Sequence, residues 1–233
     1  QFDHEVQGAN ASKPYCGLEQ TAPNNAAVLW LGAYGADGFS GVGIASGLCP
    51  AYSHFDTALM AKMAVDEAVR NLVVTGVDPS MIALVDNFCW PDPLPGEKNP
   101  DAEHKLAQLV RACRALKEIS LIYEMPFVSG KDSMKNDFHG KLNSKNVKIS
   151  VPPTLLITAM GKHPDVRKVL RNKCEIGNSI YLLGRADYEY YFGTYLPKES
   201  CHTFEWCLND NKKLYTHFYK GYLDDLYVGA HDL

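Results

Sequence analysis

The stretch DTALMAKMAVDEAVRNLVVT, residues 56–75, decides the fold of this chain. Its apolar positions recur at steps of three and four, so they form one stripe along a helix: Ala58, Ala61, Val65, Ala68 and Leu72. Asp56 or Ser53 is suited to cap the start of this helix, and Gly76 suits the position just after its end. The pattern predicts an amphipathic helix with one buried face.

Short apolar runs around this helix are typical of buried strands. We expect such strands at residues 26–31, 81–88, 126–130 and 154–161. A proline-rich loop leads to a second helix, which we expect to begin with Asn99 as its cap and to end near residue 122. Its inward face is expected to carry Leu106, Leu109, Cys113 and Leu116. Helices and strands mixed in this way predict an α+β fold.

The character of the sequence changes near residue 163. We therefore divide the chain into a domain at 1–163 and the beginning of another at 164–233. In the second part we expect a short helix at 164–171, a buried strand at 178–184 and a helix at 209–227. The chain begins at Gln1 rather than Met and stops at AHDL, so we expect a fragment of a longer protein.

Composition limits the classes of function. Hydrophobic residues make up 46% of the 233 residues, and the net charge of −4 gives no electrostatic reason to expect nucleic acid or an anionic membrane as partner. Seven cysteines without a CxxC pair argue against a disulfide framework and against a structural zinc site. No signal peptide or membrane-spanning run is visible. We therefore expect a cytoplasmic protein.

Glu67 and Asn71 form the first candidate site, because four residues of separation place them one turn apart on the same helix face. A carboxylate and an amide oxygen presented together are a pair of hard ligands that suits Mg²⁺. The alternative is a surface glutamate beside an asparagine at a frayed helix end. Spacing alone favours that alternative.

The phrase VSGKDSM, residues 128–134, is the second candidate, at the end of a predicted strand. Gly130 lets the backbone approach a ligand closely, Lys131 offers charge to a phosphate, and Ser133 can donate to an anionic oxygen. The spacing of a Walker phosphate loop is absent, and the alternative is an ordinary turn. Asp86 ends another predicted strand, either as a ligand-site carboxylate or as a cap in a turn.

Five phrases taken together are more specific than any one of them. They are FDHEVQG (2–8), DNFCWPDP (86–93), NPDAEHKLAQLVRAC (99–113), PFVSGKDSM (126–134) and SVPPTLLITAMG (150–161). In this order they resemble the formylglycinamidine ribonucleotide synthetases, over about residues 1–184, and VGAHDL at 228–233 resembles the start of a further family phrase. The resemblance implies a synthetase of two related halves that share the fold of aminoimidazole ribonucleotide synthetases. This chain is similar to the N-terminal α+β domain of the second half, followed by a truncated α/β domain.

The activity implied by the resemblance is an ATP-dependent ligation in purine biosynthesis. ATP phosphorylates the formyl amide oxygen of formylglycinamide ribonucleotide, and ammonia from a glutaminase then displaces phosphate. The products are formylglycinamidine ribonucleotide, ADP and phosphate. The implied partners are the first half of the same synthetase and a glutaminase subunit or domain. Because the family's general base lies in the first half, the isolated chain is expected to be inactive, and its exposed sheet face to favour a homodimer.

Two sites are implied by the same resemblance. Asp86 and Gly130 match positions that face ATP, Lys131 a position in the metal–phosphate region, and Ser133 a position that meets the substrate. The second site is an auxiliary nucleotide pocket, whose Mg²⁺ ligands match Glu67, Asn71 and Asp232. Its fourth ligand is an Asp in the family, and the matching residue here is Asn25. Because Asn25 is neutral, we expect this site to hold Mg²⁺ more weakly.

Two rival functions stay open. The first is a non-catalytic nucleotide-binding or scaffolding module of the same fold, favoured by Asn25 and by the loss of a Gly-Gly-Ser phrase near 185–195. The intact DNFCW and SGKDSM phrases argue against that rival. The second is a kinase of the selenophosphate synthetase or thiamine-monophosphate type, against which the order of the motifs argues.

Overall fold

The computed structural model describes residues 8–17, 19–97, 99–173, 175–181, 183, 201–227 and 229–230, and of residues 201–207 it describes the backbone. The strands in these ranges are β1 (Asn10–Ser12), β2 (Tyr15–Cys16), β3 (Ala22–Pro23), β4 (Ala27–Trp30), β5 (Gly41–Leu48), β6 (Ile82–Cys89), β7 (Phe127–Ser133), β8 (Asp137–Leu142), β9 (Lys145–Ser150) and β10 (Thr154–His163). The helices are α1 (Thr57–Val73), α2 (Ala102–Tyr123) and α3 (Cys201–Leu223).

Six strands form one mixed sheet in the order β1-β4-β5-β10-β6-β7. Neighbouring strands are antiparallel except β6 and β7, which run parallel. The pairs β2–β3 and β8–β9 form separate two-stranded ribbons. In the turn between β8 and β9, Asn143 and Ser144 both adopt positive φ, as a two-residue hairpin turn of this kind requires. The mixed sheet and its helices confirm the predicted α+β class.

Helix α1 forms where the periodicity predicted it. Asp56 is its cap, because Oδ1 of Asp56 accepts a 2.7 Å hydrogen bond from the backbone N–H of Ala58. The helix lies directly on β5, since a β-carbon on Gly47 would lie only 2.0 Å from the carbonyl oxygen of Ala64. This glycine therefore sets the distance between helix and sheet.

Helix α2 differs from the prediction at its start and in its buried face. Asn99 is not the cap, because its side-chain amide donates to the carbonyls of Asp92 (2.7 Å) and Leu94 (2.8 Å). Leu106 is 46% exposed and Cys113 is also exposed. The buried residues are Ala102, Lys105, Ala112, Ala115, Leu116, Ile119 and Tyr123. The stripe that meets α1 is thus rich in alanine, which a search for large apolar residues overlooks.

Helix α3 packs against α1 and α2, and its buried residues Leu208, Tyr215, Phe218 and Tyr222 belong to the same hydrophobic core. Asp66 of α1 is 3% exposed, and its Oδ1 accepts hydrogen bonds from Tyr123 of α2 and from Tyr215 and Asn211 of α3. One buried carboxylate therefore connects all three helices.

The other two elements predicted after residue 163 are corrected. The described residues of 178–184 form no strand, and Ile180 and Tyr181 are 87% and 81% exposed. An apolar run alone did not distinguish a buried strand from an exposed segment. The predicted helix at 164–171 is reduced to a single 3₁₀ turn, Val166–Lys168.

The face of the sheet opposite α1 and α2 is only half-buried and carries both apolar and polar side chains. Residues alternate along β5, β6 and β10, so that Gly43, Leu84 and Ile157 lie buried beneath the helices. Their neighbours in sequence, among them Ile44, Val85 and Met160, lie half-buried on the other face.

Cys16, Cys49, Cys89 and Cys113 are free thiols. Among the helices of the described ranges, none has the length and apolarity that a membrane crossing requires.

Candidate functional site

The parallel pairing of β6 and β7 brings together the four residues predicted to face ATP, phosphate and substrate. Asp86 is paired with Gly130, Asn87 with Lys131, and Cys89 with Ser133. Sequence predicted strands at 81–88 and 126–130, so that Lys131 and Ser133 would follow the end of the second strand. Instead β7 continues to Ser133, and β6 ends at Cys89, so all four candidate residues lie on regular strand and are held rigidly by it.

The four residues lie on two faces of the sheet. Asp86 points to the same side as the buried Leu84 and Phe88, and its strand partner Gly130 shares that side. Lys131 and Ser133 lie on the open side, where the ammonium group of Lys131 donates to Oγ of Ser133. A ligand in contact with all four would therefore reach around this edge of the sheet.

The pKa of the Asp86 carboxyl group is raised by its surroundings. Burial, with the neighbouring Asp132 carboxylate, raises the pKa of Asp86, and a hydrogen bond from the backbone N–H of Lys131 partly offsets that rise. Two carboxylates close enough to influence each other favour a bound cation or an added proton. They are also oxygen ligands of the type that Mg²⁺ prefers.

Asn136 is a residue of this site that sequence reasoning missed. Its backbone N–H donates to the carbonyl of Trp90 (3.0 Å), and its carbonyl accepts from Val151 (3.1 Å). Its side-chain amide donates to the carbonyl of Ser133 (2.7 Å) and to Sγ of Cys89 (3.3 Å). It thus ties the ends of β6 and β7 to the following ribbon. A single asparagine before a hairpin carries no periodic signal, so no sequence pattern could have identified this role.

The fold also brings together three of the four residues of the second predicted site, the Mg²⁺ site of the auxiliary nucleotide pocket. Glu67, Asn71 and Asn25 lie side by side where β4 begins, whereas Asp232 lies outside the described residues. Oε2 of Glu67 accepts from the backbone N–H of Leu48 (2.8 Å) and from the thiol of Cys49 (3.3 Å). Burial, followed by the Glu67 charge, raises the pKa of Cys49 far above its usual range, so this thiol stays protonated.

The amides of this second site are bonded to each other. Nδ2 of Asn25 donates to Oδ1 of Asn71 (2.9 Å), and Nδ2 of Asn71 donates to the carbonyl of Ser46 (3.3 Å). Within the described residues, no group of three or more His, Cys, Asp or Glu side chains is placed to hold a metal ion. The donor set described here therefore does not fit a divalent cation without rearrangement.

A cleft of about 530 Å³ lies beside the start of α2. Lys135, His139 and Lys148 line one part of it, and Asp92 and Glu97 another. Lys148 and the buried Lys105 both donate to Oδ1 of Asn99, which explains why Asn99 is not available as a helix cap. Its lining is of mixed charge and does not specify a ligand.

Comparison with known proteins gives one consistent result. The sequence profile of the FGAR-AT PurM_N-like domain matches residues 1–162. Proteins named phosphoribosylformylglycinamidine synthase subunit PurL are similar: that of Picrophilus torridus is 30% identical over 185 residues, 79% of this chain and 22% of that protein. That of Pyrobaculum islandicum is 31% identical over 183 residues, 78% of this chain and 22% of that protein. The chain thus spans about a fifth of the length of the curated relatives it matches.

A solved structure of T. maritima PurL complexed with AMPPCP is also similar. It is 25% identical with a TM-score of 0.52, and the match covers 74% of this chain and 24% of that one. The same protein complexed with ADP gives a TM-score of 0.51 at 25% identity.

Proposed function

This chain belongs to the FGAR-AT PurM_N-like family, and from that premise we propose that it is part of a phosphoribosylformylglycinamidine synthase acting in the cytoplasm. Residues 1–163 form the first domain of the second half of the synthetase, and residues 164–233 begin the next domain. The other parts of the active site, with the general base, belong to the remainder of the protein. The isolated chain is therefore inactive.

The proposed reaction joins nitrogen to carbon at the expense of ATP. The formyl amide oxygen of formylglycinamide ribonucleotide takes the γ-phosphoryl group, and ADP leaves. Ammonia then adds to the activated carbon, and phosphate leaves with its oxygen to give the amidine. Transfer of a phosphoryl group is accelerated by positioning and by neutralisation of charge rather than by covalent help from the protein.

The residues at the ends of β6 and β7 carry this assignment. Lys131 supplies fixed positive charge to the phosphates, and Ser133, whose Oγ it contacts, donates to the substrate. Asp86 and Gly130 face ATP, and Mg²⁺ bound with ATP supplies further positive charge there. The single observation that supports the proposal most is the parallel register, which sets all four residues within two adjacent strand ends.

The partners follow from the same proposal. The half-buried face of the sheet opposite α1 and α2 packs against the matching sheet of the first half, and a glutaminase delivers ammonia. Without the first half, two copies of this chain cover that face by forming a homodimer. Light scattering of the isolated chain tests this, because a monomer at micromolar concentration would contradict it.

A non-catalytic module of the same fold is the alternative. Asn25 favours it, because its neutral amide donates to Asn71 and adds no negative charge to a cation site. This observation concerns the second site alone and leaves the ends of β6 and β7 intact.

The deciding experiment uses the full-length parent protein with ATP, Mg²⁺ and ammonia, and measures ADP with and without formylglycinamide ribonucleotide. Substrate-dependent release of ADP is expected. A folded protein that releases none, under conditions where a known synthetase does, would favour the non-catalytic module.

A further inference from the structure

Side chains of α1 complete the hydrogen bonding of β5 beyond the point where β4 begins, and Asn25 donates to one of them. Strand β4 pairs with β5 only from Ala27, opposite Ile44, onwards. Farther along β5, the carbonyl of Ser46 and the N–H of Leu48 are instead satisfied by side chains of α1, Asn71 and Glu67. Such side-chain partners remove the cost of leaving backbone groups unbonded.

The orientation of the two amides follows from this arrangement. The Ser46 carbonyl can only accept, so the side chain of Asn71 must turn its Nδ2 towards it. Oδ1 of Asn71 then faces residue 25, and residue 25 must donate to it. Asn25 does so, over 2.9 Å. In both hydrogen bonds, from Asn25 to Asn71 and from Asn71 to Ser46, a donor meets an acceptor.

An aspartate at position 25, which has the same shape as asparagine, could not donate to Oδ1 of Asn71 and would disrupt this pair of hydrogen bonds. Two acceptor oxygens would face each other about 3 Å apart, close to the carboxylate of Glu67, and they would repel. Turning the Asn71 amide over would move the repulsion to the Ser46 carbonyl rather than remove it. A proton added to the carboxylate or a cation between the oxygens would relieve it, and the second is the environment that a hard metal ion prefers.

We propose that Asn25 makes this junction independent of metal: its amide supplies the positive hydrogen-bonding partner that a divalent cation would otherwise have to supply. Residue 25, α1 and β5 are thereby held together without Mg²⁺. The second site then takes neither a free divalent cation nor a nucleotide that depends on one. This inference concerns binding and stability and holds whether or not the parent protein is a synthetase.

Thermal unfolding of this 233-residue chain, in EDTA and in millimolar MgCl₂, tests the proposal. The two melting temperatures of the wild type are expected to coincide. Asn25→Asp is expected to melt about 2–4 °C lower in EDTA, as for the loss of about one hydrogen bond in a domain of this size. MgCl₂ should restore most of that difference. If Asn25→Asp does not fold in EDTA, refolding it in MgCl₂ replaces the melt, and failure in both would overturn the proposal.

Two control variants separate the effect of the new negative charge at position 25 from the effect of losing the hydrogen bond to Asn71. Asn25→Ala removes the donor without adding an acceptor, so its melting temperature should fall equally in EDTA and in MgCl₂. Asn24→Asp makes the same change one residue away, where Asn24 donates to the carbonyl of Lys13 (2.9 Å). MgCl₂ should not restore the melting temperature that this variant loses.

Calorimetry with MnCl₂ gives the second readout. Glu67→Gln should leave the isotherm of the wild type unchanged and abolish any binding gained by Asn25→Asp. A wild type that is stabilised by MgCl₂, with the effect lost in Glu67→Gln, would overturn the proposal. So would an Asn25→Asp variant as stable in EDTA as the wild type.

Discussion

The carboxylate of Asp86 occupies the space that a β-carbon on Gly130 would need. Built onto Gly130, that carbon would lie 2.3 Å from Oδ1 of Asp86, far inside van der Waals contact. The two residues are strand partners on β6 and β7, so their backbones cannot move apart without disturbing the sheet, and the Asp86 side chain would have to rotate away. The glycine is therefore required by its neighbour in the protein, whether or not a ligand also approaches it.

Gly130→Ala should be destabilising, by about 1–3 kcal/mol, because the added methyl group overpacks the strand pair. The double variant Asp86→Ala with Gly130→Ala should lose less free energy of unfolding than the two single variants lose together. The reason is that removing the carboxylate makes room for the methyl group. Urea unfolding of all four proteins measures this coupling. Strictly additive effects would mean that the two side chains do not compete for space.

Asp86→Asn should stabilise the protein at neutral pH. Burial, with the Asp132 charge, raises the pKa of Asp86, so the folded state binds this proton more tightly than the unfolded state. The corresponding stability is present below the unfolded pKa of about 3.9 and is lost as pH rises through the raised pKa. The advantage of Asn should thus be absent near pH 4 and grow towards neutrality. Unfolding across this range measures it, and Asp132→Asn should diminish it; an advantage independent of pH would contradict the assignment.

Lys131→Ala in the full-length parent protein should lower turnover by about 100-fold or more, as for the loss of one preorganised charge. ADP release measures this. Lys141→Ala, an exposed lysine on β8, is the matched control and should retain activity. Near-normal turnover of Lys131→Ala would remove the role proposed for this lysine.

Tyr215→Phe should cost about 1.5–3 kcal/mol, because it removes a 2.5 Å hydrogen bond to the buried, charged Asp66. Burial, followed by the Asp66 charge, raises the pKa of Tyr215 well above its usual value, so the phenol remains a donor at neutral pH. Urea unfolding measures the loss. Tyr219→Phe, on the same helix but half-exposed, should change stability little, and equal losses in the two variants would contradict this account.

The parts of the fold predictable from sequence were those determined locally. Helix α1 and its cap depend on residues close in sequence: the helix was confirmed, and of the two predicted caps, Asp56 or Ser53, the structure has Asp56. The cap predicted at Asn99 was wrong because Lys105 and Lys148, 6 and 49 residues away, both donate to Oδ1 of Asn99, the atom that a cap would use. The buried face of α2 was misjudged for a similar reason, since contact with α1 selected alanines over Leu106 and Cys113.

The candidate site was predictable as a set of residues but not as an arrangement. Gly130, Lys131 and Ser133 were identified from their chemistry, and Asp86 from its place on a strand. Their division between two faces follows from alternation along each strand, but the pairing of Asp86 with Gly130 depends on the register of β6 with β7, which no local pattern encodes. The bond between Asn25 and Asn71 likewise joins residues 46 positions apart, and only the folded chain brings them together.

The position of β10 governs how this chain can fold during synthesis. β10 lies between β5 and β6 in the sheet, yet it is translated after both. Until it leaves the ribosome, β4–β5 and β6–β7 each present an unpaired apolar edge, the kind of surface through which nascent chains aggregate. We expect chains arrested before residue 154 to be degraded by protease far faster than complete ones. Dependence on chaperones is then set by the order in which strands appear rather than by the composition of the chain.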